Sequence, residues 1–348
     1  MKKSRARISE FLSGLNFLIG FFKKLELKTW NTREAKITTE FGSEFRVRIY
    51  EPKKNFNNKT ILLLHGMNFK GIDDDRLVEL ALRLSRTGAR ILTPELDEVK
   101  NLLITPKTIE NIKELIVHYS KEYPGLGLFA VSFTAGMSLI AVTDDKLKHS
   151  LSCIILVGSY SNFKNTISHV VKNFDYDDYG TYILFYNYLE RIMPVSKELK
   201  ETLREAAMDN IFYRKGENSI ANQKKLALSV EERKVFESIQ LDKEARIAFA
   251  LKITEESPSL IYEMSPINYC RKLSIKISLI HGRNDRIISE QESEELNSLL
   301  EETLPKNFVI TPLLSHGDKV DYWKEIPSIP PLAVGFGYFL ESIGVGHE

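Results

Sequence analysis

From Glu34 onward, apolar and polar residues alternate through EAKITTEFG and EFRVRIYEP, two segments separated by a Gly-Ser turn. A period of two on either side of a turn predicts an antiparallel hairpin. KTILLLHG breaks the alternation, and its short run of branched apolar residues suits a strand buried on both faces. DDDRLVELALRLSRTG then shifts to helical spacing, with Asp74 or Asp75 as the N-cap and Gly88 as the stop. ARILTPEL reads as a strand, TPKTIENIKELIVHYSKEYP as a helix, LGLFAVS as a strand, FTAGMSLIAV as a helix and SCIILVGS as a strand. Such alternation predicts an α/β protein with a mainly parallel sheet covered by helices on both faces.

From about Ser161 to Tyr269 the strand signal disappears. Helix-forming runs such as VSKELKETLREAAM, SVEERKVFESI and DKEARIAFALKI take over, with aromatic residues clustered in YDDYGTYILFYNYLE. The stretch reads as a helical insertion. The aromatic run, with Tyr176, Tyr179, Tyr182, Phe185 and Tyr186, suits the core of that insertion or the wall of an acyl pocket. The sheet rhythm resumes with IKISLIHG, the helix SEQESEELNSLLEE, the strand NFVITPLL and a last helix around IPPLAVGFGYFLESI. The expected organisation is an N-terminal segment (1–30), a core made of 31–160 and 270–348, and an insertion at 161–269.

Ahead of the hairpin, MKKSRARISEFLSGLNFLIGFFKK puts basic residues on both sides of an apolar run from Phe11 to Phe22. The run is shorter than the roughly 20 apolar residues a spanning helix needs. Lys23 and Lys24 stand where a signal peptide would place its small-residue cleavage site. Ile8, Phe11, Leu12, Leu15, Leu18, Ile19 and Phe22 fall on one helical face. That suits either an amphipathic helix on a membrane surface, with residues 1–28 making the contact, or a helix packed on its own protein; an uncleaved anchor is a third reading.

Composition narrows the classes of function. With 348 residues, 43% of them hydrophobic, the chain can bury a large core. Its 48 basic and 47 acidic residues leave a formal charge of +1, which gives no electrostatic footprint for nucleic acid. The two cysteines, Cys153 and Cys270, have no thiol or histidine at metal-ligand spacing, so no zinc site and no disulfide framework is expected. Reduced thiols and a cytoplasmic location are the default. His118, His149 and His169 have no ligand partner at metal spacing, and Asp73, Asp74 and Asp75 read as helix capping. No metal and no cofactor is implied.

In an open parallel sheet ligands bind beyond the carboxyl ends of the strands, and there the polar candidates collect. His65 and Gly66 end one strand, Ser132 ends another, Asp285 follows IKISLIHG, and His316 follows NFVITPLL. Each has an ordinary role when taken alone. Ser132 would cap the helix that begins at Phe133, Asp285 would be a turn residue, and His316 a loop histidine. His65 and His281 read as residues that orient loops.

A strand ending in HG, a serine between strand and helix, HGRND after a late strand and SHGD after the last one together resemble the α/β-hydrolase fold, in particular bacterial esterase- and lipase-like serine hydrolases with a helical cap. The resemblance covers roughly residues 34–160 and 265–340. It implies a triad in the order Ser, acid, His. His316 is the histidine that follows Asp285 well short of the chain end, and SCIILVGS is followed by Tyr160, Ser161 and Asn162 with no carboxylate, which leaves Asp285 as the acid. By the same resemblance, the backbone N–H groups of Met67 and Phe133 would form an oxyanion hole, and the substrate would be a small ester or related acyl compound. An acyltransferase on the same scaffold and a non-catalytic homologue stay open, as do substrate identity and oligomeric state. The nucleophile elbow is loosely written. Ala130 and Thr134 stand where GxSxG has glycines, and Thr134 is expected either to point outward or to meet an unusually open neighbour.

Overall fold

The computed structural model describes residues 2–23, 25, 30–302, 304–314 and 325–344. Strands β1 (Trp30–Thr38), β2 (Glu44–Pro52), β3 (Thr60–Leu64), β4 (Arg90–Pro94), β5 (Gly127–Val131), β6 (Cys153–Val157), β7 (Lys276–Gly282) and β8 (Lys306–Thr311) join in one sheet. Their spatial order is β1, β2, β4, β3, β5, β6, β7, β8. The alternating hairpin forms as its period of two requires, and β2 also runs antiparallel to β4. From β4 to β8 every neighbouring pair is parallel. All five residues of β3 are buried, as a strand covered on both faces must be. β1, at one edge, exposes the charged residues Arg33, Glu34 and Lys36 along most of its length, which blunts pairing with another chain.

Helices α1 (Lys2–Gly20), α2 (Asp75–Ser85), α3 (Asp97–Lys100), α4 (Lys107–Glu122) and α5 (Phe133–Val142) precede the insertion. Asp74 caps α2, its carboxylate accepting the Arg76 N–H at 2.8 Å. Asp73 instead pairs with Arg46 at 2.9 Å and with Arg48, and Glu34 shares both arginines. The Arg46 guanidinium, with Arg48 beside it, holds both carboxyls below their usual range. The aspartate triplet is thus half cap, half ion network.

Residues 162–265, with 286–289, form a separate compact unit. It is helical: α6 (Phe163–Lys172), α7 (Tyr179–Tyr188), α8 (Lys197–Ile211), α9 (Ile220–Lys225), α10 (Val230–Leu241), α11 (Lys243–Glu255) and α12 (Pro258–Glu263). Part of its aromatic run supplies its own core, while Tyr176 is exposed and Tyr179 and Tyr186 are half-buried. Tyr182 and Phe185 are buried, Tyr182 stacks on Phe236 with ring centroids 6.1 Å apart, and Phe185 meets Phe249 edge-on. The buried Arg246 donates to the carbonyls of Ile239 and Gln240 and lies over the Phe174 ring. The sheet is then completed with α13 (Glu290–Leu299) and α14 (Ile329–Ser342).

The N-terminal segment is part of this fold, because α1 lies along α14. The buried face of α1 is Gly14, Phe17 and Gly20, a different face from the apolar one expected. A Cβ at Gly14 would strike the Ala333 carbonyl, and one at Gly337 would strike the Glu10 carbonyl, so only glycine allows the two backbones to approach this closely. Phe17 packs on Phe336 at 4.9 Å, and the Ser13 hydroxyl donates to Glu341. Arg83 of α2 and Arg86, which follows it, donate to the Gly20 carbonyl, satisfying the negative end of the helix. No helix among the described residues is long and apolar enough to cross a membrane.

Candidate active site

His65, Ser132 and Asp285 stand at the carboxyl edge of the parallel strands. β5 is fully buried up to Ala130 and runs directly into α5 through one residue, Ser132. Its backbone has φ 56° and ψ −133°. A side chain other than glycine rarely occupies such a conformation, and holding it there costs about 1–3 kcal/mol. Two backbone hydrogen bonds fix the turn: the Ser132 N–H donates to the Val157 carbonyl at 2.7 Å, and the Ser132 carbonyl accepts from Ala135 at 2.9 Å. The hydroxyl makes no capping hydrogen bond to α5, so capping does not account for this serine. Ser132 is half-buried at the N-terminus of a ten-residue helix, whose dipole favours negative charge there.

Of the two alternatives for Thr134, the outward one is excluded. The residue is fully buried, and its hydroxyl lies 3.0 Å from the His65 carbonyl and 2.8 Å from the Val131 carbonyl. The β-branched side chain is tolerated because its polar atom has acceptors on both sides. The smallness that the elbow needs appears further along, at Gly136, where a Cβ would collide with the Tyr160 ring. Tyr160 in turn stacks on Phe133, centroids 4.8 Å apart.

The Thr134 contact also ties the elbow to the HG loop. His65 is buried; its Nε2 accepts the Leu96 N–H at 3.0 Å, so Nδ1 carries the proton and donates to the Gly66 carbonyl at 2.9 Å. Burial lowers its pKa, which keeps the ring neutral. Gly66 lies beside the nucleophile candidate, where an added Cβ would sit 3.5 Å from the Ser132 Cβ. The segment leading to Met67 is therefore anchored through the His65 ring, the His65 carbonyl and the Gly66 carbonyl.

At the end of β7 the chain turns sharply through Asn284, φ 57°. Asp285 follows, buried, with Oδ2 3.7 Å from His281 Nε2. His281 is fully buried; its Nδ1 lies 2.6 Å from the Ser293 hydroxyl, which is itself 3.2 Å from the Ser159 carbonyl. The Arg283 N–H donates to the Thr311 carbonyl at 2.8 Å and so holds the ends of β7 and β8 together. His316, just beyond β8, lies outside the described residues. β5 and β7 flank β6, so Ser132 and Asp285 follow strands roughly 10 Å apart.

Rival chemistry is poorly served elsewhere. The Cys153 thiol is buried, which pushes its pKa up to about 12, and burial raises that of Cys270 as well; neither offers a thiolate at neutral pH. Among the described residues no three His, Cys, Asp or Glu side chains gather as metal ligands. Neither Thr134 nor Asp285 was assigned its partner from sequence. The acceptor of Thr134 is the His65 carbonyl, far away in the chain, with no local signal, whereas the i, i+4 spacing of His281 and Asp285 in HGRND is a signal that could have found the second.

No family model and no curated protein matches the chain. Solved structures do. An esterase from Pyrococcus furiosus superposes with a TM-score of 0.53 at 13% identity, covering 92% of this chain and 96% of that one. Brefeldin A esterase, a bacterial homologue of human hormone-sensitive lipase, gives 0.51 at 11% identity over 97% of this chain and 86% of that one. Prolyl oligopeptidase B from Galerina marginata gives 0.52 at 11% identity over 92% of this chain but 38% of its own. At these identities the likeness concerns the fold, and with the strand order above it establishes that this chain adopts the α/β-hydrolase fold.

Proposed function

We propose that the chain is a serine hydrolase that cleaves a small carboxylic ester or related acyl compound through an acyl-enzyme on Ser132. The observation that carries this reading is the strained backbone of Ser132, φ 56°, combined with a hydroxyl that does not cap α5. Strain of that kind persists where the surrounding fold enforces it, and it is common at functional sites. The solved structures of the same fold, two of them esterases, favour the same class of reaction.

In the proposed reaction His316 takes the Ser132 proton as Oγ bonds to the substrate carbonyl carbon. The oxygen turns into an oxyanion, stabilised by the N–H groups of Phe133 and Met67 and by the N-terminal end of α5. His316 then passes its proton to the leaving alcohol, the acyl-enzyme forms, and water repeats the sequence to release the acid. Asp285 holds His316 in the required tautomer and stabilises its charged form. A carboxylate has two oxygens, so one can remain near His281 while the other serves His316.

The test is hydrolysis of p-nitrophenyl esters of increasing chain length. The wild-type protein should turn over at least the short ones, and Ser132→Ala should lose on the order of 10⁴-fold or more. Equal rates in the two proteins would remove Ser132 from the chemistry.

A further inference from the structure

Helix α1 carries apolar residues on two faces. α1 buries Gly14, Phe17 and Gly20 against its own protein, yet Ile8, Leu12 and Ile19 are 56%, 57% and 42% exposed, and Phe22, just past the helix, is 76% exposed. Spaced i, i+4, i+11 and i+14, with the half-buried Leu15 between them at i+7, these residues form one continuous stripe on the face turned away from α14. Isolated exposed apolar residues need no explanation, but a helical stripe does.

Charge points to the occupant. The first 24 residues contain six Lys and Arg against a single Glu, whereas the whole chain carries a formal charge of only +1. Arg5, three residues before Ile8 and so on the border of the stripe, is exposed, as are Arg7 and, at the other end, Lys23. Cations at both ends of an apolar helical stripe match an anionic lipid surface, where headgroups meet the charges and acyl chains meet the side chains. We propose that the outward face of α1 lies in the plane of an anionic bilayer while its inward face stays locked on α14, so that α1 attaches the folded enzyme to a membrane surface.

The test is co-sedimentation of the full chain with vesicles of phosphatidylcholine alone and of phosphatidylcholine mixed with phosphatidylglycerol. Binding should require the anionic lipid and should weaken as salt screens the charges. The triple change Ile8→Gln, Leu12→Gln, Ile19→Gln touches only exposed positions; it should keep the wild-type melting temperature and bind on the order of tenfold or more weakly. Arg5→Gln should cost roughly fivefold on anionic vesicles and leave the melting temperature in place. Wild-type protein that ignores anionic vesicles, or a folded triple variant that still binds, would overturn the proposal. So would a wild-type dimer in sedimentation equilibrium that the triple variant converts to monomer, since the stripe would then belong to a second copy. None of these readings depends on whether Ser132 is catalytic.

Discussion

The ends of β5 and β7 treat their key residues in opposite ways. At β5 the fold accepts strain to hold Ser132, whose hydroxyl takes no part in capping the helix it begins. At β7 the fold itself makes use of Asp285, whose buried carboxylate faces the buried His281. One residue is held in a strained backbone, and the other is packed beside a buried partner. The difference means that a candidate residue can stand out by what the fold gives up for it, and that this signal is absent where the structure and the proposed chemistry draw on the same carboxylate.

Asp285→Asn should have the largest effect among the changes that test this contrast. It should lower ester turnover by up to about 10⁴-fold and also lower the melting temperature, because the partner of His281 is weakened; full activity would take Asp285 out of the proposed triad. Thr134→Val comes next. It removes the hydroxyl beside the His65 carbonyl while keeping shape, and should cost about 1–3 kcal/mol in denaturant titrations and roughly tenfold in turnover with little change in KM, since the HG loop loses an anchor. Thr134→Ser should restore most of both, and unchanged turnover in Thr134→Val would separate the loop from the chemistry. The smallest effect has the opposite sign. Ser132→Gly, which the proposed chemistry makes inactive, should gain about 1 kcal/mol of stability as the positive φ becomes unstrained. A loss instead would mean that the hydroxyl supports the fold.

Much of the architecture was readable from periodicity alone. Alternation gave the β1–β2 hairpin, branched apolar runs the buried parallel strands, and 3.6-residue spacing α2, α4 and the long helices of the insertion. Of the aromatic run, Tyr182 and Phe185 went to the insertion's core, Tyr182 stacking on Phe236. What escaped was determined by space and by distant partners. Seven apolar residues defined a face for α1, but the helix turned Gly14 and Phe17 inward, because close approach to α14 rewards the absence of side chains and a hydrophobic count does not register that. Thr134 was read by its size, while its hydroxyl and a carbonyl just past another strand decided its fit. Ser132 itself reads as a weakened motif in sequence; its dihedral angles, φ 56° and ψ −133°, are set by the fold and are what favours the proposed role.

The most direct measurement is exposure of the folded protein to a fluorophosphonate, followed by mass spectrometry of the intact chain and of the peptide containing Ser132. The account predicts a single adduct on Ser132 in the wild-type protein and none in Ser132→Ala. Equal labelling of the two proteins, or a folded wild-type protein that forms no adduct, would contradict it.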